Sequence, residues 1–277
     1  MNEYDRKGTN ISYWDERAGK EYTYKKEKFY TITPVPYYYA RRKIVIKKIE
    51  ELIKKRKLKK ICDFGCGDGE YIKKLQREGL YFYGIDASSA MIDIAKSQID
   101  SDNVSFEVSE NGITGNDKFD MVYSSAVWAH IEDKPCQFLI QNIYEHLMKN
   151  GVFVICEQTA PIKYGRGGRF VRRSCEEYCH YLTNAGFTIL NIEIIDFWLH
   201  RLLFEKHIVK WLSGRKKYLL CTLEQTRINL NRHRTYRIMS SFFTKLSTPR
   251  VFSGYNSKGK IRNRWGYCFI VAYKKEI

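Results

Sequence analysis

Asp63, Gly65, Gly67 and Gly69 occupy alternate positions in Asp63-Phe64-Gly65-Cys66-Gly67-Asp68-Gly69, and residues of these types at this spacing can build a ligand site. Glycine has no Cβ and reaches φ > 0, so backbone N–H groups in such a turn can approach a ligand closely. An acid two residues before the first glycine repels a pyrophosphate and suits a cationic or ammonium-bearing ligand. The spacing also departs from the dinucleotide fingerprint G-x-G-x-x-G, which points away from NAD and ATP. Asp86 closes the run Tyr83-Gly84-Ile85-Asp86, where a carboxylate can accept two neighbouring hydroxyls. Beyond it lie two titratable groups, His130 and Glu157, and a glycine-flanked cluster made of Arg166, Arg169, Arg172 and Arg173. Guanidinium forks of that kind bind phosphate or carboxylate in a bidentate way.

These residues need elements to hold them. Ile61, Cys62 and Phe64 read as a buried strand, and a helix opens at Glu70 and runs through Tyr71, Ile72 and Leu75. A strand feeding a glycine-rich turn and a helix N-terminus is the usual site for a nucleotide-like ligand in a doubly wound sheet. Further strands are expected at 83–86, within 104–111 together with the turn that follows, and at 119–123, 152–157, 187–195 and 267–273, the 152–157 run being apolar enough for burial on both faces. Helices are expected at 87–96, 135–148 and from 174, where Ser174 is an N-cap candidate with Glu176 and Glu177 in the first turn. Val45, Ile46, Ile49, Leu52 and Ile53 form an apolar helical stripe backed by lysines, which packs on the sheet or rests on a membrane surface. Pro34 and Pro36 argue against helix before it. Residues 165–173 read as a mobile basic loop.

The pattern D-x-G-x-G-x-G at Asp63, Gly65, Gly67 and Gly69 resembles the first motif of the class I S-adenosylmethionine-dependent methyltransferases. The resemblance implies S-adenosyl-L-methionine as cofactor and S-adenosyl-L-homocysteine as its product. It places Asp63, Gly65, Cys66, Gly67 and Gly69 at the cofactor turn, Asp86 and Ala87 at the ribose, and Met91, Glu110 and Asn111 by the adenine. Ser125 would lie at the cofactor after the fourth strand. Tyr13-Trp14-Asp15-Glu16-Arg17-Ala18 resembles the leading segment that closes over the cofactor, with Tyr13 and Arg17 reaching it and water excluded.

The loop Ser124-Ser125-Ala126-Val127-Trp128-Ala129-His130 lacks the Asn/Asp-Pro-Pro-aromatic sequence of DNA amino-methylating enzymes. It resembles the small-molecule and glycan O-methyltransferase form, which implies a hydroxyl acceptor on a sugar, glycan or related anionic metabolite. Imidazole titrates near pH ~6.5 when unperturbed, so His130 is a candidate general base, with a structural role as the alternative. Glu157 is expected at the rim as a second base, a substrate ligand or an ion-pair partner of the arginines. Tyr37, Tyr38, Trp128, Arg166, Arg169 and Arg172 are candidate substrate ligands. The fold implied is an α/β Rossmann-like three-layer sandwich with a seven-stranded, mostly parallel sheet and a helical cap inserted before the last strand. Residues 1–43 would be an aromatic and basic lid, 44–195 the cofactor-binding core, 196–262 a basic substrate-binding cap and 263–277 the final strand.

The whole chain has 277 residues and a formal charge of +17, unevenly spread. Residues 1–60 carry 18 Lys and Arg against 8 Asp and Glu, residues 61–159 carry 7 against 16, and residues 160–277 carry 23 against 7. An acidic centre between basic flanks suits an anionic or lipid-linked substrate, an anionic membrane face, or a nucleic acid. An RNA-directed methyltransferase is therefore the alternative function, and a catalytically degenerate cofactor-binding partner subunit a minor one. Eight scattered cysteines read as reduced, buried thiols, with Cys175 and Cys179 at i,i+4 spacing on one helix face, and no metal is expected. No apolar run approaches the ~20 residues of a membrane span and the start is polar, so a cytoplasmic protein is expected.

Overall fold

A computed structural model of the chain describes residues 11, 12, 14, 15, 18, 35–166, 170–196, 250–263 and 266–275. From residue 35 on, the described residues form, in order, α1 (Val35–Arg56), β1 (Lys60–Phe64), α2 (Glu70–Leu75), β2 (Tyr81–Asp86), α3 (Ser89–Gln98), β3 (Val104–Val108), β4 (Phe119–Ser125), α4 (Asp133–Glu145), β5 (Leu147–Thr159), β6 (Tyr164–Arg166), β7 (Phe170–Arg172), α5 (Cys175–Asn184), β8 (Phe187–Asp196), β9 (Arg250–Ser253) and β10 (Gly266–Lys274). A 3₁₀ turn, Trp128–His130, sits between β4 and α4.

The main sheet has the order β3-β2-β1-β4-β5-β10-β8-β9. Pairing among β3, β2, β1, β4 and β5 is parallel, and β10 runs antiparallel to β5. The chain therefore reverses direction of travel at β1/β4, and β1 and β4 both release their carboxyl ends into one crevice. Ligands of open α/β sheets bind at such a switch point. One face of the sheet, carrying Cys62, Phe64, Val122, Phe153, Ile155, Cys268 and Ile270, is buried with Leu139, Ile140 and Ile143 of α4 and Tyr178 and Leu182 of α5 in a single core. On the other face Tyr71 of α2 tilts against Tyr123 of β4, and Lys48 of α1 lies over the ring of Phe269 and pairs with Glu193. This is the expected α/β Rossmann-like three-layer sandwich.

Four local expectations change. The helix expected at 135–148 ends at Glu145, and residues 147 and 148 already belong to β5. Among the described residues the sheet has eight strands because β9 adds to the edge beside β8, where Gly254 N–H donates to Ile192 C=O at 2.7 Å. Helix α1 begins at Val35 and carries Pro36, Tyr37 and Tyr38 in its first turn, where a missing N–H leaves no intrahelical bond unmade. The basic loop at 165–173 is an antiparallel hairpin, β6 pairing with β7 from Tyr164↔Arg172 to Arg166↔Phe170. Ser174 caps α5 as expected, accepting the Glu177 N–H.

Contacts divide the chain into two units, Met1–Lys20, Ile46–Ile194 and Phe252–Ile277 forming one, and Glu21–Val45 with Ile195–Val251 the other. Most of the expected cap, 197–249, lies outside the described residues; its end, 250–262, is β9 and the turn after it. Among the described residues no helix is long and apolar enough to cross a membrane. Among them, too, no group of three or more His, Cys, Asp or Glu residues is placed to hold a metal. Cys62, Cys66, Cys136, Cys156, Cys175, Cys179 and Cys268 are buried thiols, none of them in a disulfide.

Candidate functional site

Strand β1 ends at Phe64, and the glycine turn then folds back over the end of β2. Gly65 and Cys66 N–H both donate to Ile85 C=O, at 2.8 and 2.9 Å. Gly65, Gly67 and Gly69 have φ of 75°, 53° and 74°, the left-handed region that only glycine enters without strain. A Cβ on Gly65 would stand 2.3 Å from Val127 Cγ2, so the turn is also pressed against the loop after β4. Gly65→Ala combines a strained φ with that overlap. We expect it to cost about 1–3 kcal/mol, read as a melting temperature lowered by several degrees. At Gly67, by contrast, no heavy atom lies within 4 Å of the Cβ position, so the turn leaves an open cradle.

Asp86, largely buried at the end of β2, faces this cradle. Its Oδ2 accepts the Gly67 N–H at 2.9 Å and its Oδ1 the Ser88 N–H at 3.0 Å. Burial pushes its pKa up, while the backbone N–H groups of Ser88, Gly67 and Ala87 work against that shift. Each carboxylate oxygen keeps a further lone pair for a ligand hydroxyl. Ser109 N–H donates to Asp86 C=O at 2.9 Å, which brings the exposed pair Glu110 and Asn111 beside the same strand end. Met91 is buried on α3, its N–H capped by Ser88 Oγ at 3.2 Å.

Below the turn Asp63 is 2% exposed and accepts the Tyr123 hydroxyl at 2.8 Å. Burial raises its pKa to about 8; the Tyr123 bond opposes this, and Asp86 and Asp68 add to it. Asp63 thus keeps its proton in the fold at neutral pH, where an unfolded chain has released it. Its contribution to stability is present at acid pH and declines as pH rises from about 4 to about 8. A cationic ligand over the turn favours the ionised form, so binding near pH 7 should expel a proton. Calorimetric titrations in two buffers of different ionisation enthalpy should show that release, and Asp63→Asn should abolish it.

The leading segment is fastened on both sides of the crevice. Ser88 Oγ donates to Asp15 Oδ1 at 2.5 Å, and the Trp14 ring meets the His130 ring edge-on with centroids 5.3 Å apart. Tyr13 and Arg17, expected to reach the cofactor, lie outside the described residues. Tyr71, buried on α2, shares a hydrogen bond of 2.9 Å with Ser125 at the end of β4, and Ala126 follows at φ 63°. His130 ends the 3₁₀ turn, partly exposed, its N–H bonded to Val127 C=O at 3.0 Å.

Three of the expected catalytic and substrate-binding residues are buried. Trp128 is 0% exposed, stacked 5.4 Å from Phe64 and edge-on to Phe153, with its indole N–H on Ser124 Oγ at 2.6 Å. It is a core residue because the 3₁₀ turn directs it inward. Glu157 is 2% exposed and does not reach the rim; its carboxylate accepts the N–H groups of Trp128, Ala129 and Gln158. Arg172 is buried. Arg169 and the Arg166 side chain fall outside what is described, and Tyr37 and Tyr38 lie in the second unit. Arg173, one of the clustered arginines, is fully buried, which the sequence did not signal.

Residues 37–197 match the family described as Methyltransferase domain, more than half of the chain, which therefore belongs to that family. It is an S-adenosyl-L-methionine-dependent methyltransferase. Phosphoethanolamine N-methyltransferase of Plasmodium falciparum is 26% identical to it over 63% of this chain and 70% of the relative. Carboxy-S-adenosyl-L-methionine synthase of Campylobacter lari is 25% identical over 57% of this chain and 67% of the relative. The fold is shared with the O-methyltransferase from a trans-AT PKS multienzyme of Brevibacillus brevis, solved with S-adenosyl-L-homocysteine. That structure aligns at a TM-score of 0.56 and 16% identity, covering 88% of this chain and 78% of the other. The site fits the cofactor: the cradle at Gly67 is open where a Cβ would fill it, and Asp86 presents a fixed carboxylate beside it.

Proposed function

We propose that the enzyme methylates a hydroxyl of a small anionic acceptor, a sugar, glycan unit or related metabolite, with His130 as the base that removes the hydroxyl proton. The observation that carries this reading is the fastening of Trp14 to His130 and of Asp15 to Ser88. A segment held at both points covers the crevice, which favours a small acceptor over a polymer and excludes water from the reacting groups. The bound cofactor supplies a methyl on a sulfonium, open to in-line displacement. The chain's own part is to hold Asp86 against the ribose, to keep Asp63 beneath the cationic end, and to place His130 at the mouth. The basic stretch 197–249 is the segment whose charge fits an anionic acceptor. Incubation with methyl-labelled cofactor and a panel containing glucose 6-phosphate, glucuronate, phosphoethanolamine and total RNA tests this. Label in a methyl ether of an anionic sugar is expected; label in the amine or in RNA would overturn the reading.

A further inference from the structure

The turn Trp128–His130 is three residues long and has almost no stability of its own, since so short a 3₁₀ segment leaves most of its N–H and C=O groups unpaired. Two buried, oppositely charged side chains supply the missing partners from opposite ends. Glu157 Oε2 accepts the Trp128 N–H at 2.9 Å and the Ala129 N–H at 3.4 Å, while its Oε1 accepts the Gln158 N–H at 2.7 Å. Arg173 Nη1 donates to Trp128 C=O at 2.7 Å and Nη2 to Ile131 C=O at 2.6 Å. The carboxylate is at the end where amides point out and the guanidinium at the end where carbonyls point out, the arrangement a turn's dipole favours. Arg173 is itself fixed by Asp133, its Nε donating to Oδ1 at 3.0 Å, and lies over the rings of Tyr178 and Tyr181. Trp128, locked between Phe64 and Phe153, pins the same turn through its side chain.

We infer that Glu157 and Arg173 are positioning residues for His130, an ionic clamp on the backbone of the turn that presents the imidazole. The inference rests on the reading of His130 as the base. Burying a carboxylate and a guanidinium is costly unless each is fully hydrogen-bonded, and here those bonds converge on one catalytic turn. Displacement of a reacting group by about 1 Å costs up to about 100-fold in rate, so loosening either end should be felt at His130.

The test is a double-mutant cycle with the acceptor that scores in the labelling panel. Glu157→Gln should lower kcat about 10- to 100-fold with KM for S-adenosyl-L-methionine within about twofold, and should change kcat little in a His130→Ala background. Equal losses in both backgrounds would show a general structural role and overturn the clamp. Arg173→Lys, which keeps the charge but not the fork, tests the other end by the same cycle if Glu157→Gln does not fold. An unchanged kcat in His130→Ala alone would instead remove the reading on which the clamp depends.

Discussion

Asp86→Ala should weaken S-adenosyl-L-methionine binding by about 100-fold or more while the sheet stays folded. On the proposed reading the substitution removes the acceptor for two ribose hydroxyls, and hydrogen bonds to a charged group contribute roughly 1.5–3 kcal/mol each. It also releases the Gly67 and Ser88 N–H groups that this carboxylate holds at 2.9 and 3.0 Å, so the cradle itself loosens. Asp86→Asn is the informative partner, because an amide keeps one acceptor oxygen but must turn its NH₂ toward either an N–H or a ribose hydroxyl. Its affinity should fall between the wild type and Asp86→Ala, read by calorimetry with S-adenosyl-L-homocysteine.

His130→Ala should lower kcat by about 10²–10⁴, the usual contribution of a positioned acid–base group, with cofactor affinity nearly unchanged. The separation follows from position: His130 touches Trp14 and the end of the β4 loop, whereas Asp86, Gly67 and Ser88 surround the cofactor cradle. A loss of cofactor affinity as large as the loss of rate would mean that the imidazole holds the leading segment closed and is not the base.

Much of this site is legible in the sequence. The alternation of Asp63, Gly65, Gly67 and Gly69 predicts a turn at positive φ, and Asp86 at the end of an apolar run predicts a carboxylate beside it; both meet across the 2.9 Å bond from Gly67 to Asp86. Local signals carry this information, because backbone strain and strand alternation are decided within a few residues. The burial of Glu157 and Arg173 was illegible for the opposite reason. A charged residue ending a strand reads as exposed, and only the tertiary path of the Trp128–His130 turn gives each of them buried partners 28 to 45 residues away. Trp128 was misplaced by the same reasoning, since an aromatic residue in a site loop can face either the ligand or the core. Pro36 looked like a helix breaker, yet at the first turn it breaks nothing. The hairpin of β6 and β7 was hidden by its glycines and arginines, which read as loop although the backbone pairs across them.

One cradle, built by the turn at 63–69 and Asp86 at the switch point of the sheet, is the proposed seat of the cofactor. A crystal structure with S-adenosyl-L-homocysteine bound tests it most directly. The expected result has both ribose hydroxyls within about 3 Å of the Asp86 carboxylate and the amino-acid end of the ligand over Gly65 and Gly67. A ligand seated away from Asp86, or a ribose held by other groups with the glycine turn empty, would contradict it.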